Sequence, residues 1–112
     1  MKSQFLHLRF IISEPDIDGL VLVVSMSTLR GNGREDTSCI LDCGDHPAVK
    51  ARSLIRYDKA FEINYFKLLQ EKTRGDLALA PRVNLAVLKR IQEGARTSPA
   101  LPGKFTKYFQ LF

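Results

Sequence analysis

Leu20-Val21-Leu22-Val23-Val24-Ser25-Met26-Ser27 is a run almost unbroken in apolar residues and rich in β-branched ones. A strand with one wet face alternates; a run like this reads as a central strand of a sheet. Ahead of it, Phe5-Leu6-His7-Leu8-Arg9-Phe10-Ile11-Ile12-Ser13 reads as another strand, and Glu14-Pro15-Asp16-Ile17-Asp18-Gly19 as the turn between them. The short connection implies an antiparallel hairpin. Beyond it, Arg30-Gly31-Asn32-Gly33-Arg34-Glu35-Asp36 is a polar loop expected at the surface, and Ser38-Cys39-Ile40-Leu41-Asp42 a short third strand. After the Cys43–Pro47 turn, Ser53-Leu54-Ile55-Arg56-Tyr57 begins a fourth strand that extends towards Ile63.

Around Ile63 the period changes from 2 to 3.6. Tyr65, Leu68 and Leu69 predict a helix over about 64–72, and Val83, Leu85, Leu88 and Ile91 a second over about 82–95. Pro81 stands at the start of the second helix; Gly94 and Thr97-Ser98-Pro99 are read as its end. The tail, 102–112, carries Phe105, Tyr108, Phe109, Leu111 and Phe112, too apolar for a free end. It is expected to dock on the body or on a second copy. Strands first and helices last define an α+β chain, mainly antiparallel β, of one domain of 112 residues: a curved small barrel with C-terminal helices.

Composition removes several classes. Hydrophobic residues at 45% and charged ones at 26% are a globular balance, not a disordered one. No run of about 18 apolar residues is present, which excludes a membrane-spanning helix. Lys2 and the apolar residues after it imitate a signal peptide, but His7 and Arg9 interrupt them and no small-residue cleavage site follows. The expectation is a cytoplasmic protein without a membrane partner. The net charge of +5 is concentrated late: residues 72–112 carry eight Lys or Arg against Asp76 and Glu93. That distribution suits a phosphate backbone, and equally a solvated helix face.

Cys39, Cys43 and His46, with His7 as a fourth ligand, contain the residue types of a zinc site. Cys39 falls in a strand and no second cysteine pair exists, so Cys39 is read as a small buried hydrophobe and no metal or other cofactor is expected. Strand parity is more informative. Leu6, Leu8, Phe10 and Ile12 share an apolar face, which leaves His7 and Arg9 on the other. Ser25 and Ser27 oppose Leu22, Val24 and Met26, while Arg56 and Asp58 alternate with Ile55 and Tyr57. Three strands thus bring polar groups to one face, as a sheet with one wet face also would.

His7-Leu8-Arg9-Phe10-Ile11-Ile12-Ser13 followed by Val23-Val24-Ser25-Met26-Ser27-Thr28 resembles the paired strands of the MazF/PemK-type toxins of type II toxin–antitoxin systems. Ser53-Leu54-Ile55-Arg56-Tyr57-Asp58 resembles the later strand of the PemK branch, where an Arg-x-Asp pair belongs to the active site, and Leu85–Ala95 stands where the family carries its final helix. The chain is divergent. Residues ahead of Phe5 are too few for the family's extra N-terminal strand, His7 stands where many members have Arg, and Ser25-Met26-Ser27-Thr28 lacks the family's proline.

The resemblance implies an SH3-like barrel that forms a homodimer, meets an antitoxin protein, and cuts single-stranded RNA without metal by attack of the ribose 2′-OH. The catalytic set it implies is His7, Arg56, Asp58 and Ser27, with Asp58 as base and Arg56 stabilising charge. His7 is the group suited to proton transfer near neutrality, and Thr28, Arg30, Arg34 and Lys59 are the expected RNA contacts. Two strand positions separate Arg56 from Asp58, a span of about 7 Å that predicts groups on either side of a phosphate rather than a tight ion pair. A non-catalytic barrel that binds RNA or a protein partner is the alternative, with Arg56 and Asp58 as a surface salt bridge.

Overall fold

A computed structural model describes residues 9–73 and 84–112 of the chain. Strand β1 (Arg9–Ile11) pairs antiparallel with β2 (Leu20–Thr28), in the register Arg9 opposite Ser25 and Ile11 opposite Val23. Asp16 closes the turn between them: its Oδ1 accepts hydrogen bonds from the amides of Asp18 and Leu20, both at 2.9 Å. The long β4 (Ser53–Asn64) lies on the other side of β2, and the two-residue β3 (Ile40–Leu41) pairs with β4 at the far edge. All pairings are antiparallel, in the order β1-β2-β4-β3. The third strand is shorter than the sequence predicts, because Asp36 and Asp45 hold the chain on either side in side-chain turns.

β2 is central and buried on both faces, as its composition requires. Leu22 and Val24 enter the main core with Phe10, Ile12, Leu41, Ile55 and Tyr57. Val21 and Val23 face outwards and are covered by Leu68 of helix α1 (Tyr65–Thr73). Leu68 alone of the apolar residues predicted for that helix docks fully; Tyr65 and Leu69 are exposed. Between Val23 and Ser25, the single residue Val24 of β2 spans Tyr57 to Ala60 of β4. This wide bulge bends β4 sharply and curls the sheet into half a barrel.

Helix α2 (Leu85–Thr97) closes the open side of the curl. Asn84 caps it, its side-chain oxygen accepting from the Val87 amide at 2.9 Å. The buried stripe is Val87, Ile91, Gly94 and Ala95, whereas Leu85, one of the residues whose spacing predicts the helix, is 64% exposed. Gly94 does not end the helix, which runs on to the Ser98 cap. Instead it lets α2 approach the sheet: a Cβ there would collide with the Tyr57 hydroxyl and with Cys39. Tyr57 uses that space to donate its hydroxyl to the Ile91 carbonyl at 2.6 Å. Gly94→Ala is therefore expected to lower unfolding stability by about 2 kcal/mol, since overpacking outweighs the ~1 kcal/mol that alanine adds to a helix. Chemical denaturation monitored by circular dichroism measures it; an unchanged or raised midpoint would contradict the close packing.

The tail forms a 3₁₀ helix, η1 (Gly103–Leu111), docked on the body. Phe105 and Tyr108 complete the main core, and Arg96 of α2 lies over the rings of Phe109 and Phe112 at 5.7 and 5.3 Å. No helix among the described residues is long and apolar enough to cross a membrane. Cys39 and His46 are buried and Cys43 is exposed; His46 stacks edge-on against Phe10.

Candidate functional site

The outward face of β2 changes character where α1 stops covering it. Past Val23 it presents Ser25 and Ser27, and across the ladder Ser25 stands between Arg9 of β1 and Arg56 of β4. The Arg9 guanidinium lies over the Phe61 ring at 5.8 Å, with Nε and Nη1 buried and without a hydrogen-bond partner among the described residues. Beside this row the β2–β3 loop folds back towards the sheet. Between loop and sheet lies an open cleft of about 490 Å³.

Ser27, Thr28, Arg30, Arg34, Arg56 and Asp58, six of the residues singled out in the sequence, line that cleft together. Lys59 does not line it; it is exposed on the bulge next to Asp58. His7 lies outside the described residues. Asn32, Glu35, Asp36, Leu54 and Ala100 also line the cleft, and none of them was a candidate from sequence. Leu54, opposite Ser27, forms its apolar floor. Among the described residues no group of three His, Cys, Asp or Glu side chains is gathered as a metal site requires.

Arg56 and Asp58 do not stand apart as their spacing predicts. Arg56 Nε reaches Asp58 Oδ1 at 2.8 Å and Nη2 reaches Oδ2 at 2.6 Å, a two-pronged ion pair. The long arginine side chain folds along the strand to reach Asp58, where the register with β2 shifts. Hydrogen bonding from Arg56 holds the Asp58 carboxyl below the usual carboxylate range and raises the Arg56 guanidinium in turn. Both are partly exposed, so the pair adds little to stability. Its effect is orientation: the fork of Arg56 is held in one plane at the wall of the cleft.

The opposite wall is built on Asp36. Its carboxylate accepts the hydroxyls of Ser38 and Ser98 and the Ser38 amide, which ties the loop to the C-terminal end of α2. Burial pushes the Asp36 carboxyl up, but the hydrogen bonds from Ser38 and Ser98 together outweigh it and the group is lowered. Glu35 is likewise lowered, first by the Arg30 amide and then by those of Gly31 and Asn32. The carboxylates of the cleft thus remain ionised near neutrality, and Arg30, Arg34, Arg56, Ser27 and Thr28 line it with them. Three arginines balance three carboxylates, and the lining offers both hydrogen-bond donors and acceptors to a polar ligand. Comparison with protein-family models, with curated proteins and with solved structures returns no match to this chain.

Proposed function

We propose that the protein is a metal-independent endoribonuclease of the MazF/PemK type that cuts single-stranded RNA. The observation that supports this reading is the convergence of Ser27, Thr28, Arg30, Arg34, Arg56 and Asp58 on one open cleft. In the proposed reaction the ribose 2′-oxygen bonds to the adjacent phosphorus and the bond from phosphorus to the 5′-oxygen breaks. The products carry a 2′,3′-cyclic phosphate and a 5′-hydroxyl. The 2′-OH must lose a proton and the leaving oxygen must gain one.

Arg56 is the group for the charge that builds on the phosphorane, because its fork is already oriented and it cannot act as an acid near neutrality. Asp58, held ionised by that fork, is a weak base and serves chiefly to aim Arg56. Ser27 and Thr28 are suited to hydrogen-bond a non-bridging oxygen. Proton transfer is assigned to His7 from its sequence position alone. Arg30 and Arg34, which make no ion pair among the described residues, carry the flanking phosphates.

Incubation of the pure protein with a mixed-sequence, unpaired RNA in EDTA is expected to give discrete fragments with cyclic phosphate ends. Asp58 stays ionised through the assay range, so a loss of activity on the acid side of neutrality is expected from His7 and not from Asp58. Binding of the RNA without scission would favour the alternative, a non-catalytic RNA-binding barrel.

A further inference from the structure

The loop Arg30-Gly31-Asn32-Gly33-Arg34-Glu35-Asp36 contains an arrangement that the proposed reaction does not use. Three successive main-chain amides point at one anion, the carboxylate of Glu35. The Arg30 amide donates to Oε2 at 2.9 Å, and the Gly31 and Asn32 amides donate to Oε1 at 2.7 and 3.4 Å. Gly31, at φ +76°, makes the convergence possible, since a left-handed residue turns its neighbours' amides to the same side. Such concave amide nests are general binding sites for phosphate and other anions.

The position of this nest gives it a meaning beyond loop closure. Arg30, Asn32 and Glu35 all line the same cleft as Arg56 and Ser27. Arg34 lines it too and makes no ion pair among the described residues. Glu35 is tethered only a few residues away, and its contacts with the amides are exposed to water. A carboxylate whose contacts are open to water leaves the amides reachable by a competing anion. Its two oxygens present to the amides what two non-bridging oxygens of a phosphate would present.

We propose that the amides of Arg30, Gly31 and Asn32 form a second phosphate subsite of the cleft, closed in the free protein by Glu35. An incoming phosphate displaces the carboxylate, which swings into solvent. The occupant's chemistry is a phosphate group; that it belongs to a neighbouring nucleotide of an RNA strand rests on the function proposed above.

The test is a titration followed by amide resonances, with two probes. One is inorganic phosphate; the other is a 2′-O-methyl oligoribonucleotide, which binds but has no nucleophile. The oligonucleotide is expected to shift the Arg30, Gly31 and Asn32 amides of the native chain. Glu35→Ala is expected to tighten it at least tenfold and to make inorganic phosphate shift the same amides. Glu35→Gln keeps the length and an acceptor oxygen, so it guards against a loop that collapses without Glu35; it should show a smaller gain. Glu35→Ala combined with Gly31→Ala leaves the same charges but forces a side chain into the left-handed region, and the gain should vanish.

Amides that stay silent to both probes in every variant would overturn the subsite, and so would a gain that survives Gly31→Ala, which would be simple loss of negative charge. If only inorganic phosphate shifts the amides, the subsite stands and the RNA reading fails. If RNA is cut while those amides stay silent, the function stands and the subsite fails.

Discussion

Deleting residues 104–112 should abolish cooperative folding. The segment carries Phe105 and Tyr108, which are buried in the same core as Phe10, Leu22, Tyr57 and Ile91. Truncating one buried aromatic ring costs about 3–5 kcal/mol, so losing two approaches the 5–15 kcal/mol by which a domain of this size is stable. The deletion also removes the bond from the Glu14 amide to the Leu111 carbonyl and uncovers the Arg96 stack. Thermal unfolding followed by circular dichroism should show no sharp transition, with strong binding of a hydrophobic dye. A truncated chain that melts sharply within a few degrees of the full one would refute the tail's place in the core. Tyr108→Phe is the mild companion, keeping the ring and losing only the bond to Glu62, at about 1 kcal/mol. That bond, foremost, holds the Glu62 carboxyl below its usual range. A depressed carboxylate stabilises the fold above its unfolded pKa and loses that contribution as pH falls through its folded value. Tyr108→Phe should therefore flatten the acid side of the stability curve.

The parts of this architecture legible from sequence are those with a side-chain period. The unbroken Leu20–Val24 run announced burial on both faces, and Val21 and Val23 lie under Leu68 while Leu22 and Val24 line the curl. The polar face was legible by parity, which is why Ser27 and Arg56 share the cleft. The bend in β4 was not, because one inverted pair, Lys59-Ala60, within a longer alternation does not announce it, and only pairing with β2 exposes the extra residues. The inner face of α2 was not legible for a related reason: large residues announce the helix, but the close approach is set by Gly94 and Ala95, which have almost no hydrophobic signal. The Arg56–Asp58 pair escaped a Cα spacing argument because arginine is long enough to fold back. The amide nest left only its glycine as a trace, since main-chain donors carry no residue code.

Arg56→Ala should reduce RNA cleavage about 10³-fold while the melting temperature moves by only a few degrees. The size follows from the role: a preorganised cation at a developing phosphorane supplies about 4 kcal/mol of transition-state stabilisation. The small stability change follows from the exposure of the Arg56–Asp58 pair, worth at most about 1 kcal/mol. Arg56→Lys restores the charge but not the two-pronged geometry, and should recover little of the rate. Asp58→Asn removes the anchor that aims Arg56, and should lower the turnover rate with RNA affinity unchanged or improved, because a negative charge leaves the cleft. His7→Ala should cost about 10²–10⁴-fold and remove the acid limb of the rate profile. Equal loss of affinity and rate in Arg56→Ala would mark an ordinary phosphate contact. Cleavage at the native rate in Arg56→Ala or in His7→Ala would remove the catalytic assignment of the residue replaced.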